Sequence, residues 1–162
     1  MSTTTKHETE IGADTKVPMI TIVREFDAPP ERVHRAWTDP ELVARWMGPK
    51  ALNMRIDEWD CRTGGSWRYT AVRDGETVAS FYGSFHEVRS DRIVQTFTYE
   101  GFPDGVALET IWFDDLGDGR SRVRTQSLCD SFEDRDAMLS SGMDVGVNEG
   151  FEKLDELLAG EA

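Results

Sequence analysis

Cysteine is almost missing from this chain: Cys61 and Cys129 stand alone among 162 residues, with no CxxC pair and no metal-ligand spacing. That argues against a disulfide framework, and reduced thiols in a cytoplasmic protein are the simplest account. Lysine is limited to Lys6, Lys16, Lys50 and Lys153, so the basic residues are mostly arginine. No apolar run approaches the ~20 residues that span a bilayer. The opening "MSTTTKHETEIGADTK" lacks the apolar core of a secretory signal. GxSxG, HExxH, P-loop and dinucleotide motifs are wanting. "TGGS" has neither the lysine nor the helix of a phosphate loop, so it reads as a turn. Positive charge is also short, with a net charge of −13 at pH 7. Such a surface repels nucleic-acid backbone and anionic membranes, so neither nucleic acid nor membrane insertion is expected.

What is present suits one domain with a real core: charged residues make up 30% and apolar ones 38%. Residues 1–18 read as a disordered polar tail and 19–160 as a single domain. "MITIVREFDAP" alternates as a first strand and stops at a proline pair. "PPERVHRAWTD" puts Val33, Ala36 and Trp37 on one helical face, with Pro30 suited to the first turn. "DPELVARWM" starts a second short helix at Asp39 and ends at Gly48-Pro49. From 52 to 130 the period changes to two, giving strands near 53–60, 66–74, 77–89, 92–100, 106–114 and 121–130. "RDGET", "RSDR", "GFPDG" and "DLGDGR" lie between them as turns, so the strands form an antiparallel meander. "SSGMDVGVNEGFEKLDELLAG" is a long helix whose stripe is Met143, Val147, Phe151, Leu154 and Leu158. It can bury that stripe only against the sheet.

The succession of strand, two short helices, six strands and a long helix carries "WMGP", "CRTGGSWRY", "GSFHEVRSDRIVQTF" and "NEGFEKLDELL" in order. Together these resemble the START-like, or SRPBCC, superfamily, in the branch related to the C-terminal domain of the activator of Hsp90 ATPase. The similarity covers about residues 19 to 160. It implies an α+β helix-grip fold, a curved antiparallel sheet around the C-terminal helix with a cavity between. It does not imply a reaction, because the superfamily hosts carriers, cyclases, resistance proteins, receptors and a co-chaperone domain. The family often has Gly-Trp where this chain has Gly150-Phe151, which keeps an aromatic at the cavity floor and changes its shape.

In such a fold the short helices close one end of the cavity with Trp37, Trp46 and Met47. The sheet would contribute Trp67, Tyr69, Phe81 and Phe85, then Phe97, Tyr99 and Trp112. The long helix would add Met143, Val147 and Phe151. Gly142, Gly146 and Gly150 repeat every four residues. Each costs a helix interior about 1 kcal/mol relative to alanine, which calls for an offsetting gain. That gain is either close approach of helix to sheet or empty volume for a ligand. If Gly142 precedes the helix, two glycines remain. Aromatics and flexible methionines suit an apolar ligand, with Tyr69, Tyr82, His86 or Gln95 orienting it.

Catalytic chemistry has two candidates, His86 in a central strand and Glu109 in "VALETIWF". If Glu109 faces the cavity, desolvation raises its pKa and lets it exchange a proton. Shifted by one residue it faces water, the more ordinary outcome for a strand carboxylate, and the alternation alone leaves both registers open. His34, Cys129, Arg68, Arg122 and Arg124 have ordinary packing or solvated readings. The leading expectation is binding of a hydrophobic aromatic, polyketide- or lipid-like molecule, with no cofactor and no metal. The alternatives are a cyclase- or hydrolase-type enzyme using the same cavity, and a module that stimulates the chaperone Hsp90. Oligomeric state is left open.

Overall fold

Pro29 is extended and Pro30 opens the first helix, so the chain leaves its first long strand through a rigid corner. Residues 7–160 are described by the computed structural model. In order they form β1 (Glu10–Ala13), β2 (Met19–Phe26), α1 (Pro30–Thr38), α2 (Pro40–Trp46), β3 (Asn53–Trp59) and β4 (Ser66–Arg73). Then come β5 (Glu76–Val88), β6 (Arg92–Tyr99), β7 (Ala107–Gly117), β8 (Arg120–Leu128), α3 (Phe132–Ser140) and α4 (Met143–Gly160). Asp39 joins the two short helices. Its backbone N–H ends α1 on the Arg35 carbonyl, and its carboxylate accepts from the Glu41 amide at 3.0 Å to start α2.

The strands make one antiparallel sheet in the order β1-β2-β8-β7-β6-β5-β4-β3. The meander from β3 to β8 and the return of β2 beside β8 are the helix-grip arrangement, with the helices on the concave side. The hairpin turns use the residues that tolerate positive φ: Asp74-Gly75 joins β4 to β5, and Gly117-Asp118-Gly119 joins β7 to β8. On the concave face Phe26, Phe85, Ile93, Ile111, Phe113 and Val123 are buried. They meet Trp37, Trp46, Phe151 and Leu154 from the helices in one core.

Two elements depart from the expected order. Glu10–Ala13, inside the stretch expected to be a disordered tail, pairs with β2 from Glu10–Val23 to Ala13–Ile20. A four-residue strand is too short for its alternation to register, and what holds it is backbone pairing to an otherwise open edge. Residues 1–6 of that expected tail lie outside the described residues. The second addition is α3, which has no apolar stripe to betray it. Its one buried residue is Arg135, whose guanidinium donates to the carbonyls of Asp14 at 2.8 Å and Met19 at 3.1 Å. Ser131 caps it, accepting from the Asp134 amide at 3.0 Å.

The glycines around α4 resolve by position. Gly142 precedes the helix with φ +88°, as the turn after α3 requires. Gly150 faces the end of α2, where a Cβ would stand 3.1 Å from the Trp46 carbonyl and 3.4 Å from the Gly48 nitrogen. The gain there is close approach of helix to helix, rather than the helix-to-sheet contact the pattern suggested. Farther along, Arg24 reaches from β2 and forms a bidentate pair with Asp155 of α4, at 2.9 and 2.5 Å. Arg24 is 3% exposed, and its guanidinium lies 4.9 Å from the Phe26 ring centroid.

Candidate ligand-binding site

Register places a polar group in the middle of the concave face. One row across the sheet runs Ile20–Ser127–Glu109–Gln95–Phe85, from β2 through β8, β7 and β6 to β5. The row on one side carries Ile22, Thr125, Ile111 and Ile93, and on the other stand Ala107 and Phe97. Glu109 shares its parity with buried Ile111 and Phe113, so its carboxyl points at the helices. Gln95 Nε2 donates to Glu109 Oε1 at 3.0 Å, and Ser127 Oγ donates to Oε2 at 2.7 Å. Burial pushes the carboxyl above the ordinary glutamate value, and the two hydrogen bonds only partly offset it. Among the described residues no cation forms an ion pair with Glu109.

Beside this row lies an aromatic floor. The rings of Trp67, Tyr69, Phe81 and Phe97 form a closed circuit with centroid separations of 5.0, 5.5, 5.4 and 5.9 Å. At those spacings the rings pack on one another and leave no hole between them; they present a surface, not a cage. Phe81 and Phe97 stay half-exposed, and Tyr99, 45% exposed and 5.5 Å from Phe81, extends the floor to the sheet end. The Tyr69 hydroxyl has no hydrogen bond among the described residues. Burial, with the Glu109 charge, holds the phenol protonated, so it remains a donor. Val147 from α4 and Met47, Met54 and Ile56 pack half-buried against the same core.

This architecture and its sequence match a known family. Residues 27–159 fit the activator of Hsp90 ATPase homolog 1-like proteins. The chain belongs to that family. Solved structures agree on the fold of this AHSA1-like chain. A crystal structure from Mycobacterium smegmatis is 24% identical with a TM-score of 0.84, over 95% of this chain and 98% of the other. An NMR structure from Arthrobacter aurescens is 27% identical at TM-score 0.84, over 94% and 92%. A crystal structure from Rhodobacter sphaeroides is 24% identical at TM-score 0.84, over 96% and 100%. No curated protein matches the chain.

The AHSA1-like fold distributes the residues singled out in the sequence over three settings. Trp67, Tyr69, Phe81, Phe97 and Tyr99 make the floor with Glu109 and Gln95 beside it. Trp37, Trp46 and Phe151 are core: Trp37 and Trp46 centroids lie 4.6 Å apart, and Trp46 Nε1 is spent on the Ala36 carbonyl at 2.8 Å. Phe85 is buried against Trp59 at 5.7 Å, while Met143 and Val147 are half-buried on α4. Gly146 stands against Pro49, its would-be Cβ 3.5 Å from Pro49 Cδ, and Gly150 against α2.

The third setting is the convex face, and here expectations are corrected. Trp112 lies opposite in parity to Ile111 and Phe113, so it points away from the helices and stacks under Arg124 at 4.7 Å. Tyr82 is likewise exposed on that side. His86 sits at the bulge between Phe85 and Glu87 and is exposed, so it does not accompany Glu109. His34 donates to the Arg89 carbonyl at 2.8 Å and edges onto Phe113, a packing role. Burial raises both thiols, Cys61 to about 11, so neither is a thiolate nucleophile. Among the described residues no cluster could hold a metal, and no helix is long and apolar enough to cross a membrane. Ser127 is the site residue that sequence reasoning missed. Counting back from "DLGDGR" brings it near Glu109, but the bulge between Asp115 and Gly117 shifts the count by one.

Proposed function

We propose that the concave face binds a largely apolar small molecule, aromatic, polyketide- or lipid-like, between the sheet and α4. The observation that carries this reading is Glu109, a desolvated carboxyl without a cation, placed beside half-exposed Phe97 and Phe81. Half-exposed rings supply apolar contact, and Glu109, Gln95, Ser127 and the free Tyr69 hydroxyl fix the orientation of one polar group on the guest. The family fold is compatible with such binding.

The test is a fluorescence titration with N-phenyl-1-naphthylamine, an uncharged apolar probe. Saturable one-to-one binding is expected, weakened roughly tenfold in Phe97→Ala, since truncating a buried contact ring costs at least about 1.4 kcal/mol. Trp112→Ala, on the convex face, should bind as the native protein does. Unsaturable binding, or equal losses in the two variants, would overturn the reading.

A second reading rests on the same carboxyl: Glu109, neutral or ionised near its raised pKa, serves as a general acid or base. It requires a turnover that Glu109→Gln abolishes while leaving probe binding intact.

A further inference from the structure

Glu109 stands on the concave face with hydrogen bonds to both carboxyl oxygens and no counter-charge. Gln95 Nε2 and Ser127 Oγ each donate to one oxygen, at 3.0 and 2.7 Å, and two donors aimed at a carboxyl favour its ionised form. Elsewhere on the sheet such charges are matched within the chain. Asp57 holds Arg68 at 2.7 Å, while Glu87, Glu25 and Asp114 hold Arg92, Arg120 and Arg124 at 2.6 Å. Among the described residues no cation pairs with Glu109. A desolvated carboxylate is costly unless paired, so the group is completed by a positive charge from outside the chain. The proton it holds more tightly in the empty protein answers the same cost.

The neighbourhood suits one kind of cation. Glu109 pairs with Gln95 and Ala107 with Phe97, so the Phe97 ring stands diagonally from the carboxyl. Phe97, Phe81 and Tyr99 follow one another at 5.4 and 5.5 Å. The first two are half-buried, as Glu109 is, and Tyr99 is exposed, so rings and carboxyl are open to the same guest. Ring faces attract cations. Among the described residues the guanidinium groups that lie over rings cover Phe26, Phe151, Trp112 and Phe132, none of which belongs to the floor. A metal ion would find a single carboxylate there, far fewer oxygens than it needs. An ammonium joined to an apolar body uses both the carboxyl and the rings.

We propose that the guest of the concave site is a lipophilic amine, bound as its ammonium ion with the charge against Glu109 and the apolar body along Phe97, Phe81 and Tyr99. This rests on the concave-face reading above and names the class of molecule that site takes. The ammonium N–H groups donate to the carboxylate lone pairs that Gln95 and Ser127 leave unfilled. An anionic guest, such as a fatty acid, would meet Glu109 charge against charge.

The test is isothermal titration calorimetry with three guests of similar shape. They are 1-naphthylmethylamine, 1-naphthylmethanol and 1-naphthoate, which at neutral pH are cationic, uncharged and anionic. Sodium chloride at about 0.5 M screens the diffuse field of a chain with net charge −13 and leaves a desolvated contact in force. The amine should bind one-to-one and about tenfold or more tighter than the alcohol, with the naphthoate weakest. In Glu109→Gln the amine and the alcohol should bind alike; should that variant not fold, the ordering in the native protein decides. Saturable alcohol binding with no preference for the amine overturns this inference and leaves the concave-face reading standing. A preference for the amine that survives in Glu109→Gln overturns it too, because the charge then lies elsewhere. No saturable binding by any of the three overturns the reading on which it rests.

Discussion

Ser127 Oγ on β8 donates a 2.7 Å hydrogen bond to the Glu109 carboxyl on β7. This contact crosses two strands on the concave face, in a row that is otherwise apolar at Ile20 and Phe85.

Glu109 makes stability depend on pH in a definite direction. Its native pKa is raised, so the folded state holds the proton more tightly than the unfolded chain. The contribution is fully present below the unfolded value near 4.5 and is lost as pH rises through the native value. Glu109→Gln removes that loss. Calorimetry should find the variant more stable than the native protein at pH 8, by on the order of 1 kcal/mol, with the advantage gone at pH 4. A difference independent of pH would contradict the assignment.

Gly146 and Gly150 should respond oppositely to alanine. At Gly146 the new Cβ makes an ordinary 3.5 Å contact with Pro49, so the helical preference of alanine dominates and the protein gains about 0.5–1 kcal/mol. At Gly150 the Cβ would press on the Trp46 carbonyl at 3.1 Å, and the overpacking outweighs that gain by about 1 kcal/mol. Urea midpoints check the order: Gly146→Ala above native, Gly150→Ala below.

Arg24 and Asp155 are unequal partners. Asp155→Ala leaves a buried guanidinium uncompensated and should cost about 2–3 kcal/mol. Arg24→Met keeps apolar bulk against Phe26 and Phe151 and leaves only an accessible carboxylate behind, so it should cost less. Lys50→Met, which breaks an exposed pair with Glu152 at 2.6 Å, should cost the least of the three. Chemical unfolding of the three variants ranks them; Arg24→Met as the most damaging would refute the argument.

The fold was largely legible because its signals are periodic. Alternation in β4 to β8, the Asp-Gly turns and the stripe through Phe151, Leu154 and Leu158 each act over many residues and agree. What escaped notice depends on single contacts. Arg135 holds α3 by hydrogen bonds to carbonyls far away in sequence, and β1 exists through its pairing with β2. The site was half legible for a related reason. Alternation groups Trp67 with Tyr69 and Phe97 with Tyr99, but it cannot say which parity faces the helices. Aromatic character alone points Trp112 inward, and the same ambiguity leaves Glu109 undecided. One register, with Ile111 and Phe113 inward, settles both.

The most direct measurement of where a ligand sits is a set of intermolecular NOEs from bound N-phenyl-1-naphthylamine to the protein. The account expects contacts to Phe81, Phe97 and the Val147 methyls, with the Glu109 and Ser127 amides shifting in step. Contacts confined to Trp112, Tyr82 or other convex-face protons, with the concave face undisturbed, would contradict it.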